Sequence, residues 1–247
     1  MQNQFDPRTT SRAFDPAASV GVPSVTRDAG LRSYMLKVYN YMASGVLLTG
    51  IIAMLFAESG MAAQVFQGGG LLPWVIILSP LAIVFAMSFG QNRMSAGTLQ
   101  LLFWAFAALM GLSMSTIFLV YTNTSIAQTF FAVTAAFAGL SLYGYTTKKD
   151  LSGWGTFLIM GVVGLLVAML LNAFFFQSGA MAMAISAIGV LIFAGLTAYD
   201  TQKIKSIYFQ VQGTEMLGKT AILGALSLYL DFINMFQFLL SFMGSRE

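Results

Sequence analysis

The chain contains no cysteine and no histidine. These two absences exclude disulfide bonds, thiolate and imidazole metal ligands, cysteine nucleophiles and histidine-based catalytic triads. Charged residues are also scarce, at 9% of the 247 residues, whereas soluble domains carry about 25%. Because so few ionic groups cannot cover a water-exposed surface, a soluble enzyme is excluded. Any chemistry of this chain must therefore use carboxylates, hydroxyls or the backbone.

Apolar residues are abundant instead, at 57% of the chain, and they fall into seven blocks. Each block is close to the roughly twenty residues that one helical membrane crossing needs. Short polar or glycine-rich segments separate the blocks. The sequence therefore predicts an all-α membrane protein, with a seven-helix transmembrane bundle in residues 31–247. The predicted spans are 34–57, 72–90, 96–121, 126–145, 155–176, 181–200 and 221–243.

Residues 1–30 differ from the rest of the chain, because they contain Pro7, Pro16 and Pro23 and no sustained apolar period. This composition predicts a disordered cytoplasmic tail. The same segment lacks the continuous apolar run of a signal peptide, so we expect the first span to remain in the mature protein.

The lysines and arginines predict the orientation in the membrane. Eleven of the twelve lie in the tail, at the start of the first span, or in the second, fourth and sixth loops, and only Arg246 falls on the other side. Because cationic side chains are retained in the cytoplasm during insertion, we predict a cytoplasmic N-terminus and an outside C-terminus. This topology also explains the net charge of +3. No soluble segment carries a basic stripe interleaved with aromatics, so no nucleic-acid partner is expected.

Two acidic residues stand out among the nine. Asp231 falls near the middle of the last span, and Asp200 falls at the end of the sixth. A carboxylate inside the hydrocarbon is costly unless it is protonated, paired or hydrated, so such acids usually mark ion pathways or proton-linked sites. Asp231 is therefore the most informative residue of the sequence.

The last span also carries a polar stripe. Its members are spaced three, four, three and seven residues apart, which places them on one helical face: Gly224, Ser227, Asp231, Asn234 and Ser241. Such a face cannot point at lipid. We therefore predict that the last helix is central, enclosed by the other six, with its stripe facing a crevice or pore. Thr197 and Asp200 form a smaller polar group on the sixth span.

Asp200 and Asp231 could share one proton between two carboxyl oxygens. Their depths argue against contact, because Asp200 ends its predicted span whereas Asp231 lies roughly 16 Å along the helix axis from Thr220. Contact requires the sixth helix to continue through Lys203 and Lys205. Neutralisation of Asp200 by Arg93 is the alternative.

Three segments resemble the signature of the Bax inhibitor family, in particular its bacterial inner-membrane branch. They are GYTTKKDL at 144–151, AYDTQK at 198–203 and GALSLYLDFIN at 224–234. The similarity runs from about Ala29 to the C-terminus. It implies a seven-helix bundle with the last helix enclosed, in a bacterial inner membrane, and a pH-sensitive calcium leak. It also implies that Asp200 and Asp231 are the family's paired aspartates and that Arg93 is its arginine after the second helix.

The first functional hypothesis is transport. Asp200 and Asp231 would form a proton-controlled gate over a calcium path, with Arg93 contributing to pH sensing and with Ser227, Asn234 and Thr197 lining or supporting the path. Two carboxylates suit a hard cation, and so few ligands imply transient occupancy. Calcium is thus the expected permeant ion, and no tightly bound cofactor is expected. The residues leave the direction of the pH response open.

Two other classes of function compete with transport. Intramembrane aspartyl proteases carry Tyr-Asp on one helix, as Tyr199-Asp200 does here, but they carry Gly-x-Gly-Asp on a later helix. The residues before Asp231 lack both glycines, so we expect no enzymatic activity. The third hypothesis is an interaction role, in which the bundle modulates a membrane-protein partner such as a membrane protease and the aspartates serve packing. The resemblance also implies a cytoprotective role.

Overall fold

The computed structural model describes residues 24–246. Within this range the regular structure is helical, apart from one isolated bridge between Tyr121 and Arg246. The α-helices are α1 (Ser24–Glu58), α2 (Met61–Gln67), α3 (Leu72–Gly90), α4 (Ala96–Met114), α5 (Asn123–Thr146), α6 (Ser152–Leu171), α7 (Gly179–Val211) and α8 (Met216–Met243).

Seven of these helices, all except the short α2, are long and apolar enough to cross a membrane, which confirms the predicted seven-helix bundle. Most predicted boundaries agree within a few residues. At the N-terminus, α1 already begins at Ser24, so the last residues of the predicted tail are helical. The rest of that tail, residues 1–23, lies outside the described part of the chain.

The predicted end of the sixth span at Asp200 is wrong. Helix α7 continues for eleven more residues to Val211, through Lys203 and Lys205. The polar residues of this extension do not stop the helix, because they find partners on α5 and on the α5–α6 connection. The Lys205 ammonium, for example, donates a hydrogen bond of 2.8 Å to the Tyr145 carbonyl oxygen at the end of α5.

Helix α8 is the most buried of the seven spans. In α8, 61% of the residues of the apolar stretch are buried, against 11–33% in the other six spans. It packs mainly against α1, α4, α5 and α7, whereas α3 packs mainly against α4 and α6 against α7. A helix in this position can carry polar groups, because its neighbours rather than lipid surround it.

One end of the bundle collects the basic residues, and we call it the basic end. It comprises the start of α1, the turns 91–95, 147–151 and 212–215, and the adjoining ends of α7 and α8. The cations at this end are Arg32, Lys37, Arg93, Lys148, Lys149, Lys203, Lys205 and Lys219. Of the lysines and arginines in residues 29–246, only Arg246 lies at the opposite end of the bundle.

At the basic end, the α5–α6 connection is held against α7 by the side chain of Gln202. The Leu151 amide donates to Gln202 Oε1 over 2.8 Å, and Gln202 Nε2 donates to the Lys149 carbonyl oxygen over 2.8 Å. Close by, α5 crosses α7 with Gly144 against the backbone of Ala198, whose carbonyl oxygen a Cβ atom at position 144 would overlap. Two of the three segments that carry the family resemblance, 144–151 and 198–203, are therefore in direct contact.

At the opposite end, the C-terminal residues are fastened to the start of α5. The Thr122 amide donates to the Ser245 carbonyl oxygen over 3.1 Å, and the Ser245 amide donates to Ser125 Oγ over 3.0 Å. The Arg246 guanidinium lies 5.7 Å from the centre of the Tyr121 ring. We call these contacts the C-terminal clip.

Helix α6 ends irregularly near this end. A π-helical turn, Asn172–Phe176, follows α6, and Gln177 then adopts a left-handed conformation with φ 45°. The Asn172 side chain stabilises the reversal, because its Oδ1 accepts a hydrogen bond of 2.9 Å from the Ser178 amide. Ser178 Oγ in turn caps α7 by accepting from the Met181 amide.

Candidate functional site

A cavity of about 730 Å³ lies between α6, α7 and α8. Its walls are largely apolar, with side chains such as Leu165, Phe193 and Phe238. The polar residues that line it are Asn172, Ser186, Asp200, Ser227, Asp231, Asn234, Gln237 and Ser241. We call this cavity the α7–α8 crevice.

Four of the five residues of the polar stripe on α8 line the crevice, namely Ser227, Asp231, Asn234 and Ser241. The fifth, Gly224, packs against the Ile204 side chain on α7. The stripe therefore faces α7 and the crevice, as its helical spacing predicts. Asp200 lines the same crevice from α7.

Asp231 is nearly inaccessible, with 4% of its surface exposed. Its Oδ2 is buried and accepts no hydrogen bond from any residue that the structure describes. Asp200 is half-buried. The two acids thus differ in environment while sharing one cavity.

The long α7 brings the two carboxyls to similar depths. Helices α7 and α8 run antiparallel from a four-residue turn, with Asp200 eleven residues before Val211 and Asp231 fifteen residues after Met216. At 1.5 Å per residue, the two acids lie about 16 Å and about 22 Å from the turn, a difference of roughly one helical turn. The extension of α7 beyond Asp200 therefore removes the depth objection that the sequence raised.

Hydrogen bonds within and between α7 and α8 order the crevice further from the basic end. Ser186 Oγ on α7 donates to the Ala182 carbonyl oxygen over 2.8 Å and lies 3.1 Å from Ser241 Oγ on α8. On α8, Asn234 Nδ2 donates to the Leu230 carbonyl oxygen over 2.8 Å. The Ser186–Ser241 contact joins α7 to α8 on the far side of Asp231, whereas no hydrogen bond reaches Asp231 Oδ2 from the described residues.

Two predicted site residues lie away from the crevice. Thr197 is fully buried, and its Oγ1 donates to the Phe193 carbonyl oxygen of its own helix over 2.8 Å. It shares a face with Thr201, whose hydroxyl contacts Ser141 on α5, so this face of α7 supports the α5–α7 contact. Arg93 is exposed in the turn between α3 and α4 and is not among the residues lining the crevice.

The prediction also omitted three polar residues that line the crevice. Ser186 lies fourteen residues before Asp200, close to four full helical turns, and Gln237 lies three residues after Asn234, so helical spacing could have found both. Asn172 could not be found in this way, because it lies in the π-helical turn.

The crevice holds two carboxylates, with the oxygens of Ser227 and Asn234 nearby as neutral ligands. Within residues 24–246, no group of three or more acidic, histidine or cysteine side chains is placed to hold a metal ion. An ion in this crevice would therefore have two acidic ligands at most, which suits brief occupancy.

The opposite face of α8 is packed and hydrogen-bonded. Tyr229 is fully buried, with the rings of Phe103 and Phe106 edge-on to it at centroid distances of 6.2 Å and 5.1 Å. Its hydroxyl contacts Thr49 on α1. Tyr229 lies two residues from Asp231, so the two side chains project from opposite sides of α8. One side is packed against α1 and α4, and the other lines the crevice.

Most of the chain is similar to a known protein family. The family model described as "Inhibitor of apoptosis-promoting Bax1" matches residues 31–247. The chain belongs to the Bax inhibitor family. The matched range contains nearly all of the seven spans, so Asp200, Asp231 and the crevice lie within it.

Several bacterial relatives are similar over nearly their whole length. An uncharacterized protein of Rickettsia prowazekii is 46% identical over 223 residues, which cover 90% of this chain and 93% of the relative. An uncharacterized protein of Caulobacter vibrioides is 46% identical over 231 residues, covering 89% and 91%. The inner membrane protein YbhL of Escherichia coli K12 is 45% identical over 221 residues, covering 89% and 94%.

These names state no enzymatic activity. Together with the seven apolar helices, the similarity to YbhL supports a multi-pass protein of the bacterial inner membrane.

Proposed function

We propose that this Bax inhibitor family protein is a pH-sensitive calcium leak channel of the inner membrane, gated by proton sharing between Asp200 and Asp231. The observation that supports the proposal best is that both acids line one crevice while Asp231 Oδ2 has no hydrogen-bond partner in the described chain. The proposal includes no enzymatic step and no tightly bound cofactor.

The buried carboxyl of Asp231 must be neutralised by a proton or a cation. An isolated anion in a low-dielectric interior is strongly disfavoured, so either a proton or a cation must accompany it. When one proton bridges Asp200 and Asp231, the hydrogen bond holds α7 to α8 and keeps the crevice closed. When that proton leaves, the two negative charges repel each other and attract a cation.

A calcium ion in the opened crevice would find oxygen ligands only. The carboxylates of Asp200 and Asp231 supply charge, and the side-chain oxygens of Ser227 and Asn234 supply neutral ligands. Calcium favours six to eight oxygens, whereas these four side chains offer four when each carboxylate binds through one oxygen, so water must complete the shell. Weak and hydrated binding allows an ion to leave again, which a leak requires.

The crevice is long enough to follow most of the membrane. On α7 its lining extends from Ala182 to Asp200, about 27 Å along the helix axis, compared with a hydrocarbon thickness of about 30 Å. The proposed orientation has the basic end in the cytoplasm, so the N-terminus is cytoplasmic, the C-terminus is outside and Asp200 lies in the cytoplasmic half.

Arg93 and Thr197 have indirect parts in this proposal. Arg93 would act as a surface cation at the basic end, through the field at the cytoplasmic mouth. Thr197 would support the α5–α7 contact that carries Asp200.

Regulation of a partner membrane protein, such as a membrane protease, is the second candidate function, and a stress-protective role fits either one. The peripheral position of α3 and α6, with 11% of each apolar stretch buried, leaves wide apolar surfaces for the bilayer or a partner helix. In this case Asp200 and Asp231 would serve packing alone.

Calcium flux in proteoliposomes tests the gate directly. Purified protein is reconstituted around a calcium-sensitive dye, and the rate of dye response is measured across pH for wild type, Asp200→Asn and Asp231→Asn. We expect a pH-dependent leak in wild type and a flat pH profile in both variants, because asparagine keeps the shape of the side chain without its titration. Asp150→Asn is the matched control, since it neutralises an exposed acid outside the crevice, and it should retain the wild-type profile.

Two results would contradict the channel proposal. One is the absence of any flux from monodisperse wild-type protein at every pH. The other is an identical pH profile in wild type and both asparagine variants. Partners that co-purify equally with wild type and the double asparagine variant would then favour the regulatory function.

A further inference from the structure

A second concave surface, unrelated to the aspartates, lies at the basic end between α1 and α4. It is a shallow groove of about 700 Å³. Helix α1 contributes Arg32, Ser33, Lys37 and Asn40, whose spacing places them on one helical face, and α4 contributes Trp104. We call it the α1–α4 groove.

The two cations of the groove are exposed, and no acidic residue is among the described residues that line it. Arg32 and Lys37 therefore give the groove a double positive charge. A guanidinium can bind two phosphate oxygens at once, and an ammonium adds a point charge. Ser33 and Asn40 offer further hydrogen-bond donors beside them.

The depth of the groove matches the lipid headgroups. The first span runs from Ala29 to Glu58, about 45 Å as a helix, and so exceeds the hydrocarbon core of about 30 Å. Because the cationic residues of α1 lie in its first turns, the excess length falls at the basic end. Lys37 then lies about 12 Å from Ala29, at the level of phosphates and glycerol.

Beyond Lys37 the groove carries no further cation and becomes aromatic, with Asn40 and Ser44 as its polar residues on α1. The ring centres of Tyr41 and Trp104 lie 6.2 Å apart, and Tyr41 follows Lys37 by about one helical turn. Trp and Tyr favour this boundary because their rings contact acyl chains while their polar atoms reach the headgroups. The surface therefore changes from cationic to uncharged and aromatic in the direction that a lipid molecule follows.

We propose that the α1–α4 groove binds an anionic phospholipid of the leaflet at the basic end. The phosphate lies between Arg32 and Lys37, and the first acyl carbons lie against the rings of Trp104 and Tyr41. The aromatic half of the groove selects a lipid over a free phosphate, because a soluble anion gains nothing from Trp104. This site does not depend on calcium conduction.

Native mass spectrometry of the purified protein in detergent tests this site. Phosphatidylglycerol and phosphatidylethanolamine with the same acyl chains are titrated separately, and bound lipid is counted. We expect wild type to retain phosphatidylglycerol preferentially and the double variant R32Q/K37Q to lose about tenfold in affinity for it. The control K148Q/K149Q removes two exposed cations from the same end, outside the groove, and should keep the preference.

A second arm distinguishes a lipid from a free phosphate. Glycerol phosphate added as a competitor should not displace phosphatidylglycerol, and Trp104→Leu should weaken lipid binding several-fold. The proposal is overturned if R32Q/K37Q binds phosphatidylglycerol as wild type does, or if the control pair loses as much affinity. It is also overturned if glycerol phosphate competes and Trp104→Leu has no effect. Each single variant, R32Q and K37Q, is measured as well, so that poor folding of the double variant does not decide the result.

Discussion

The hydroxyl oxygen of Tyr229 on α8 lies 2.7 Å from Thr49 Oγ1 on α1, and Thr49 Oγ1 donates a hydrogen bond of 2.7 Å to the Ala107 carbonyl oxygen on α4. Because the threonine has one hydroxyl proton and gives it to Ala107, Tyr229 must be the donor to Thr49. The three groups form a directed chain through three helices, and they anchor the face of α8 that points away from the crevice.

Tyr229→Phe should therefore destabilise the bundle without altering the gate. The variant removes one interhelical hydrogen bond, which inside membranes is worth about 0.6 kcal/mol on average and up to about 1.7 kcal/mol. Thr49 keeps its bond to Ala107. The measurement is the free energy of unfolding in mixed micelles, together with the pH profile of calcium flux. A changed pH profile would contradict the separation of the two faces of α8.

The close crossing of α5 and α7 gives a second prediction. Gly144→Ala should destabilise the protein by about 1–3 kcal/mol, because the new Cβ overlaps the Ala198 carbonyl oxygen and pushes α7 away. Gly139→Ala is the matched control on the same helix, since nothing lies within 4 Å of its added Cβ, and alanine should be neutral or stabilising there. Thermal unfolding of both variants in detergent provides the comparison, and equal midpoints would show that the crossing tolerates a methyl group.

The orientation can be tested with single cysteines, because the chain has none of its own. Asn92→Cys places a thiol in the exposed turn at the basic end, and Ser59→Cys places one at the opposite end. We expect a membrane-impermeant maleimide to label position 59 in intact spheroplasts and position 92 only after permeabilisation. The reverse labelling pattern would overturn the proposed cytoplasmic N-terminus.

Asp150 provides a pH prediction outside the membrane. Hydrogen bonds from the Ser152 side chain and from its backbone amide, the latter 2.9 Å long, hold the pKa of the Asp150 carboxyl below its ordinary value of 3.8. A depressed folded-state pKa stabilises the protein above the unfolded pKa, and this contribution is lost as pH falls through the folded-state pKa.

The difference in unfolding stability between wild type and Asp150→Asn should thus be constant from about pH 5 to about pH 8 and shrink below about pH 4. Unfolding titrations at several pH values measure it. A difference that varies between about pH 5 and about pH 8 would contradict this assignment and would disqualify Asp150→Asn as the control for the flux experiment.

The number of spans could be predicted from the sequence because bilayer thickness fixes the length of each apolar block. The polar stripe around Asp231 likewise predicted which face of α8 avoids lipid. The end of α7 could not be predicted, since the cation at Lys205 is satisfied by a carbonyl oxygen sixty residues away, at Tyr145. The polar residues after Asp200 are typical of a helix end. In the structure they form hydrogen bonds with α5 and the α5–α6 connection, and α7 continues to Val211.

The same distinction, between local spacing and tertiary contacts, explains which site residues were predicted correctly. Ser227 lies four residues before Asp231 and Asn234 three residues after it, so helical spacing predicted that all three line the crevice together. Thr197 lies only three residues from Asp200, yet the rotation of α7 set by its contact with α5 turns it away. The rotation of a helix about its axis depends on packing between distant segments. The spacing of residues along one helix therefore cannot predict it.

The C-terminal clip restricts the ways in which α8 can move. Its last residues are tied to Thr122 and Ser125, and its first residues follow a four-residue turn from α7. Because both ends of α8 are held, the helix cannot slide along its own axis. A rearrangement around Asp231 would therefore proceed by rotation or bending of α8 between its two ends. Ser245 and Arg246 thereby restrain the end of α8, and their removal should let that end separate from α5.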